Sequence, residues 1–278
     1  MKKSPRIKIN SPKLLRIPPL KPQDHKYSRG HALVLGGAVM TGAPRLSALA
    51  AQRAGAGMVT LAVPVQVWPV YAASMMSVIV RALQAPSDWG WVLTHRHIRA
   101  VLLGPGAEAD ELRKPLRNAI KSGLPLVLDA GALALIAEDK KIRELVAGSD
   151  AIYTPHDGEY LQLANSFKFP KSTDRAAKAL QLAKALRGVV VLKGAETIIA
   201  AADGRVVRNI STTPWLATAG TGDVLADIIT GLRAQGMDAF DAACAGVWLH
   251  GEAATHFGVG MIAEDLLLAI PAALQEAV

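Results

Sequence analysis

The 278-residue chain has one cysteine, 5% aromatic residues and 19% charged residues. A single thiol excludes a disulfide scaffold and any cysteine-based metal cluster, and fits a reducing cytosol at least as well as a secreted setting. Cys244, set in the alanine-rich stretch Ala242-Ala243-Cys244-Ala245-Gly246, reads as a buried structural thiol rather than a nucleophile. No run reaches the roughly 18 apolar residues of a membrane span, so a membrane partner is not expected. The N-terminus has no apolar core that would make it a signal peptide, because Pro12, Pro18, Pro19 and Pro22 interrupt it. Acidic residues are nearly missing from residues 1–30, where nine Lys or Arg face only Asp24, while the rest carries 22 basic and 22 acidic groups. The net charge of +8 is therefore a basic arm on a neutral body. The body has no long cationic stripe, so the arm reads as a solvated leader, partly packed on the domain, ahead of a nucleic-acid or membrane contact.

What the chain has in quantity is aliphatic surface: hydrophobic residues make up 51% of it, enough to bury a large core. Short apolar runs alternate with helical stretches. Ala32–Leu35, Met58–Val63, Val101–Leu103, Leu126–Leu128, Ala151–Tyr153 and Val189–Leu192 predict strands. Ala43–Ala54, Asp110–Lys121 and Ala176–Leu186 predict helices. Repeated strand–helix units imply a mainly parallel sheet covered by helices. Asp203-Gly204 between Thr197–Ala201 and Arg205–Val207 signals a hairpin closing one edge of that sheet. Helices alone are expected afterwards, over Val224–Gln235, Phe240–His256 and Ala263–Ala277. With no repeat or linker after residue 30, residues 1–24 are expected to form the arm and residues 25–278 a single domain.

In open parallel sheets ligands bind beyond the carboxyl ends of the strands, so the segments that follow strands carry the chemistry. Gly220-Thr221-Gly222-Asp223 runs directly into a helix. Two glycines there let successive N–H groups converge on an anion, and Asp223 could accept a proton from a hydroxyl about to attack phosphorus; a plain turn with Asp223 as N-cap is the alternative. Lys193-Gly194-Ala195-Glu196-Thr197 ends a buried strand, where the lysine could meet an anionic nucleotide or merely snorkel. Thr154-Pro155-His156-Asp157-Gly158-Glu159 could bind a polar substrate or Mg²⁺-bound water, or could simply start a helix. Gly36-Gly37 with Thr41-Gly42-Ala43 fits neither a dinucleotide fingerprint nor a Walker sequence. Gly104-Pro105-Gly106 and Asp129-Ala130-Gly131 could both be turns.

Taken in order, these segments resemble the NAD(P)H-hydrate dehydratase family of ribokinase-like enzymes. The likeness also rests on His25-Lys26 with Gly30, Arg53-Ala54-Gly55-Ala56-Gly57, Leu216-Ala217-Thr218 and His250-Gly251, and covers residue 25 to the end. It implies a ribokinase-like three-layer αβα sandwich with an antiparallel edge hairpin. It also implies a cytoplasmic homo-oligomer that restores hydrated NADH or NADPH at the expense of ADP or ATP with Mg²⁺. By motif, Asp223 is expected to be the catalytic base and to touch the hydrated cofactor together with Ala43, Gly106 and His156. Lys193, Gly194, Ala195, Glu196, Thr197, Gly220, Thr221 and Gly222 are expected at the nucleotide and its phosphates; metal ligands are not assigned. The chain departs from the family pattern at Gly131, Glu108 and Ser74-Met75-Met76, all outside the phosphate motifs. Two other readings are a ribokinase-like kinase of a small alcohol such as hydroxyethylthiazole, and a non-catalytic nucleotide-binding or nucleic-acid-associated protein.

Overall fold

The computed structural model describes residues 7–278 apart from 86, 95, 96, 211 and 212. Lys2, Lys3 and Arg6 of the basic arm lie outside the described residues. Ten strands form one sheet: β1 (Lys8–Ile9), β2 (His31–Leu35), β3 (Met58–Pro64), β4 (Ile79–Leu83), β5 (Ala100–Leu103), β6 (Leu126–Leu128), β7 (Ala151–Tyr153), β8 (Val189–Leu192), β9 (Thr197–Ala201) and β10 (Val206–Asn209). Their spatial order is β1-β10-β9-β8-β7-β6-β5-β2-β3-β4. Every pairing from β4 across to β8 is parallel, and β9 runs antiparallel to both β8 and β10. The expected hairpin thus lies at one end of the sheet, and β1 adds a further two-residue parallel strand outside it.

Among the described residues eleven α-helices cover the sheet: α1 (Gly42–Arg53), α2 (Trp68–Ser74), α3 (Asp88–Thr94), α4 (Ala109–Ser122), α5 (Gly131–Glu138), α6 (Lys140–Val146), α7 (Asp157–Ser166), α8 (Arg175–Leu186), α9 (Thr221–Ala234), α10 (Ala239–Phe257) and α11 (Ala263–Ala277). Side chains alternate along a strand, so Ala32 and Val34 join one apolar layer with α1, α9, α10 and α11, whereas Leu33 and Leu35 join the other with α3 to α8. This alternation places an apolar core on each face and gives three layers. The structure departs from a simple amphipathic reading of α9. All its residues from Val224 to Ala234 are buried, because α1 and α10 cover the face turned from the sheet. A helix enclosed on all sides presents only its ends to a ligand. Among the described residues no helix is long and apolar enough to cross a membrane.

The chain steps from β2 to β3 in one direction and from β2 to β5 in the other, so the strand order reverses between β2 and β5. The loops leaving these strands interlock: a side chain on Gly37 would begin 1.8 Å from the Gly106 carbonyl oxygen. Only glycine permits that approach, which fixes the floor of a crevice at the reversal.

Candidate active site

The start of α9 has two features that suit an anion. Gly220 adopts φ 88°, the left-handed region that favours glycine, and turns the chain so that the first helical N–H groups, which have no intrahelical partner, face outward. Two hydrogen bonds from the Thr221 hydroxyl, to the Leu216 carbonyl at 2.8 Å and the Thr218 carbonyl at 3.0 Å, tie the preceding loop down. From α10, His250 Nε2 donates to the Thr221 carbonyl at 2.9 Å. Burial pushes the His250 imidazole down to about 4, so at neutral pH it braces the turn without adding charge. Role assignment from sequence passed over His250, although the motif His250-Gly251 contained it; its partner is 29 residues away.

Facing that turn, Lys193 ends β8. Its Nζ lies 2.8 Å from Asp129 Oδ1 and 3.9 Å from Glu159 Oε2, and 3.4 Å from the point where a Gly222 side chain would begin. Burial alone would lower the ammonium's pKa, but Asp129 and Glu159 outweigh it, so Lys193 stays charged and its pKa is raised. Asp129, at the end of β6, is 1% exposed and would be an isolated buried charge without Lys193. An acid directly after Leu126-Val127-Leu128 was the signal that could have set it apart from a turn. Three carboxylates, those of Asp129, Glu159 and Asp223, therefore share one lysine. The consequence falls on Asp223: burial first, then the charge of Asp129, pushes its pKa up to about 6, with Lys193 opposing. The carboxyl is half-buried and poised to exchange a proton near neutral pH.

A cavity of about 520 Å³ opens between these elements. Lys193, Gly194, Ala195 and Thr197 line it on one side and Thr221 and Gly222 on the other, with Asn209 and His250 behind. Gly220 shapes the turn and Asp223 follows it, but neither lines this cavity. Glu196 is also outside: its carboxylate pairs with Arg208 at 2.9 Å. The loop is held by Arg175, which sequence reasoning missed. From the first turn of α8, Arg175 donates to the carbonyls of Lys193 at 2.8 Å and Glu196 at 3.0 Å, and binds both Asp157 oxygens at 2.7 Å.

The residues expected against the second substrate are placed differently. Ala43, in the first turn of α1, and Gly106, at φ 68°, lie by the β2–β5 crevice. His156 caps α7: its Nδ1 accepts from the Gly158 and Glu159 amides at 2.9 and 3.2 Å. The helix-start reading of this segment therefore holds, and the same start delivers Glu159 to Lys193 while Asp157 goes to Arg175. The His156 ring is 59% exposed and turns Nε2 to within 3.6 Å of Glu159. Every expected site residue follows the carboxyl end of β2, β5, β7 or β8, or sits at the head of α9.

A ribokinase-like fold with a glycine-turned helix start facing a charged lysine defines the class. The family model for NAD(P)H-hydrate dehydratase matches residues 32–272. The ADP-dependent (S)-NAD(P)H-hydrate dehydratase of Xanthomonas campestris pv. campestris is 34% identical over 97% of each chain. In structure, the chain is similar to a ribokinase-like superfamily protein of Enterococcus faecalis (TM-score 0.85, 23% identity, 98% of this chain and 96% of that one). It is also similar to the ADP/ATP-dependent NAD(P)H-hydrate dehydratase of Bacillus subtilis co-crystallized with ATP/Mg²⁺ (TM-score 0.82, 25% identity, 98% and 99%). The chain spans about half the length of the bifunctional NAD(P)H-hydrate repair enzymes it matches. It belongs to the NAD(P)H-hydrate dehydratase family.

Proposed function

We propose that the chain dehydrates hydrated NADH or NADPH at the expense of ADP or, alternatively, ATP, restoring the reduced cofactor and releasing AMP (or ADP) and phosphate. The observation that carries this reading is Asp223, with its pKa pushed up to about 6, at the head of α9 beside a lysine-lined cavity. Asp223 accepts the proton of the ring hydroxyl as that oxygen attacks the terminal phosphorus. The bond from that phosphorus to the bridging oxygen breaks, and the nucleotide leaves with its electron pair. Main-chain N–H groups at Gly220 to Gly222 and the Lys193 ammonium stabilise the transferring phosphoryl group. The ring nitrogen's lone pair then expels phosphate, leaving an iminium, and loss of the proton from the neighbouring ring carbon re-forms the carbon–carbon double bond. Lys193 to Thr197 with Gly222 hold the adenine nucleotide, and Ala43, Gly106 and His156 lie against the hydrated cofactor.

The acids around Lys193 offer oxygen donors alone, the chemistry Mg²⁺ prefers, and Mg²⁺ bound with nucleotides takes one or two carboxylates plus phosphate oxygens and water. Asp129 and Glu159 are the groups that would hold it, and bound Mg²⁺ would neutralise phosphate charge. The tight cluster Glu252, His256 and Glu276 on α10 and α11 includes none of these acids. Residues 25–278 are taken as one catalytic domain, and the enzyme as a cytoplasmic homo-oligomer with no nucleic-acid partner.

Incubating hydrated NADH with ADP or ATP and Mg²⁺ tests the proposal. Recovery of the reduced-nicotinamide absorbance with stoichiometric phosphate is expected. No recovery with either nucleotide overturns it, and a stable phosphorylated product would point instead to a small-alcohol kinase.

A further inference from the structure

The crevice at the β2–β5 reversal does not end at Gly106. A cavity of about 260 Å³ continues from Gly36 and Ala107 across the carboxyl ends of β3 and β4 to Gln84. There a second hollow of about 540 Å³ begins, which shares Gln84 and is walled by Trp68, Arg81 and Trp91. The two indoles come from α2 and α3, the elements that follow β3 and β4, and are 40% and 42% exposed. The Arg81 guanidinium carbon lies 4.5 Å over the Trp91 ring, and Trp68 Nε1 donates to the Val80 carbonyl at 3.3 Å. The connecting loop is fixed, because Asp88 Oδ2 accepts from the amides of Gln84 at 2.8 Å and Ala85 at 3.1 Å.

We infer that Trp68, Arg81 and Trp91 form a subsite for the adenine end of the dinucleotide substrate. The inference rests on the dehydratase reading above. Three observations carry it. Exposed indole faces and a guanidinium plane are the groups on which a purine stacks. The hollow adjoins the cavity that continues the reversal crevice, and Gln84 lines both. Asp129 ends β6 and Gln84 follows β4, four strands further across, about 19 Å at the ordinary strand spacing of about 4.8 Å. That separation suits a dinucleotide whose nicotinamide lies at Asp223 and whose far base lies beyond the sheet's last strand. The phosphate-donating nucleotide has its own cavity on the other side of Asp129, by β8 to β10, so the two purines do not compete.

The test compares hydrated NADH with hydrated reduced nicotinamide mononucleotide, which lacks the adenylate half, in Trp68→Ala, Trp91→Ala, Trp68→Phe and Trp91→Phe. Loss of one stacking ring raises KM for hydrated NADH about tenfold or more, within the range of base–aromatic stacking. KM for the mononucleotide stays where it was, and the Phe variants restore most of the loss. An unchanged KM for hydrated NADH, or an equal rise for both substrates, overturns the subsite. So does a drop in oligomer mass by light scattering with both substrates equally affected, since the surface would then belong to a second copy. Wild-type turnover of hydrated NADH is measured first, which keeps failure of the dehydratase reading distinct. Should turnover be absent, quenching of tryptophan fluorescence by AMP decides the subsite, present in wild type and lost in the double Ala variant if it exists.

Discussion

The Asn10 side chain, carried just beyond β1, donates a hydrogen bond of 2.9 Å to Asn209 Oδ1 on the wall of the cavity between Lys193 and Thr221. The same amide donates to the Cys244 carbonyl at 2.8 Å, so one buried side chain joins the arm, the sheet edge and α10. Part of the basic arm is thereby packed on the domain, behind that wall. Asn10→Ala is expected to cost about 1–3 kcal/mol, the range for orphaning buried polar groups, and to raise KM for the nucleotide more than KM for hydrated NADH. Thermal melts and the two KM values check this. Deleting residues 1–20 would remove β1 with the arm, so any nucleic-acid affinity is better tested by neutralising Lys2, Lys3 and Arg6.

Asp223→Asn keeps the shape of the turn and removes the proton acceptor. Nucleotide affinity is expected to stay nearly intact while turnover falls by a factor on the order of 100 or more. Calorimetric titration with ADP and steady-state rates measure the two separately. Equal losses in both would reduce Asp223 to a structural cap.

The pH profile follows from the same carboxyl. Asp223 works as a base when ionised, so kcat is expected to fall as pH drops through about 6. Its folded-state pKa is raised, so the folded protein holds that proton more tightly. The stability this confers is complete below the unfolded value of 3.8 and is lost by about pH 6. Asp223→Asn should abolish the acid limb in kcat and flatten the stability curve over that interval.

Asp227, one turn further along α9, is 0% exposed, and neither of its oxygens has a hydrogen-bond partner among the described residues. Burial pushes its pKa well up, with the nearby Ser47 hydroxyl tempering the effect. The folded state therefore keeps Asp227 protonated and loses stability as pH rises above the ordinary carboxyl range. Asp227→Ala is expected to stabilise the fold, by about 1–3 kcal/mol, with a larger gain at pH 8 than at pH 5. Denaturant unfolding at both pH values provides the comparison.

Arg175→Lys keeps the charge but not the planar fork that grips Asp157 and two carbonyls at once. The Lys193–Thr197 loop should loosen, raising nucleotide KM several-fold with a smaller change in kcat.

Apolar runs bounded by turn residues were the part most legible in the sequence. Leu126–Leu128, Ala151–Tyr153, Val189–Leu192, Thr197–Ala201 and Ala263–Ala277 occur with the expected bounds, because a strand buried on both faces needs no polar alternation. β4 escaped notice: it is an edge strand, only half-buried, and Arg81 interrupts it. β1 is two residues long and gains its identity only from β10. The short helices α5 and α7 follow strand ends and α6 follows α5, all without the long period that marks α9 or α11. At the site, Lys193, Thr221 and Gly222 were visible as motif residues. Asp129 and Arg175 act on partners 64 and 18 residues away, a relation that local pattern does not carry.

Because Lys8 and Ile9 lie beside Val207 and Arg208, each 199 residues further along, the opening strand has nothing to pair with until most of the chain has been made. Such pairing is among the most non-local a chain can have and carries a large loop-closure cost. On the ribosome the arm must wait, unpaired, while the central parallel strands assemble. The sheet's border beside β10 can therefore be sealed only after β10 itself has emerged.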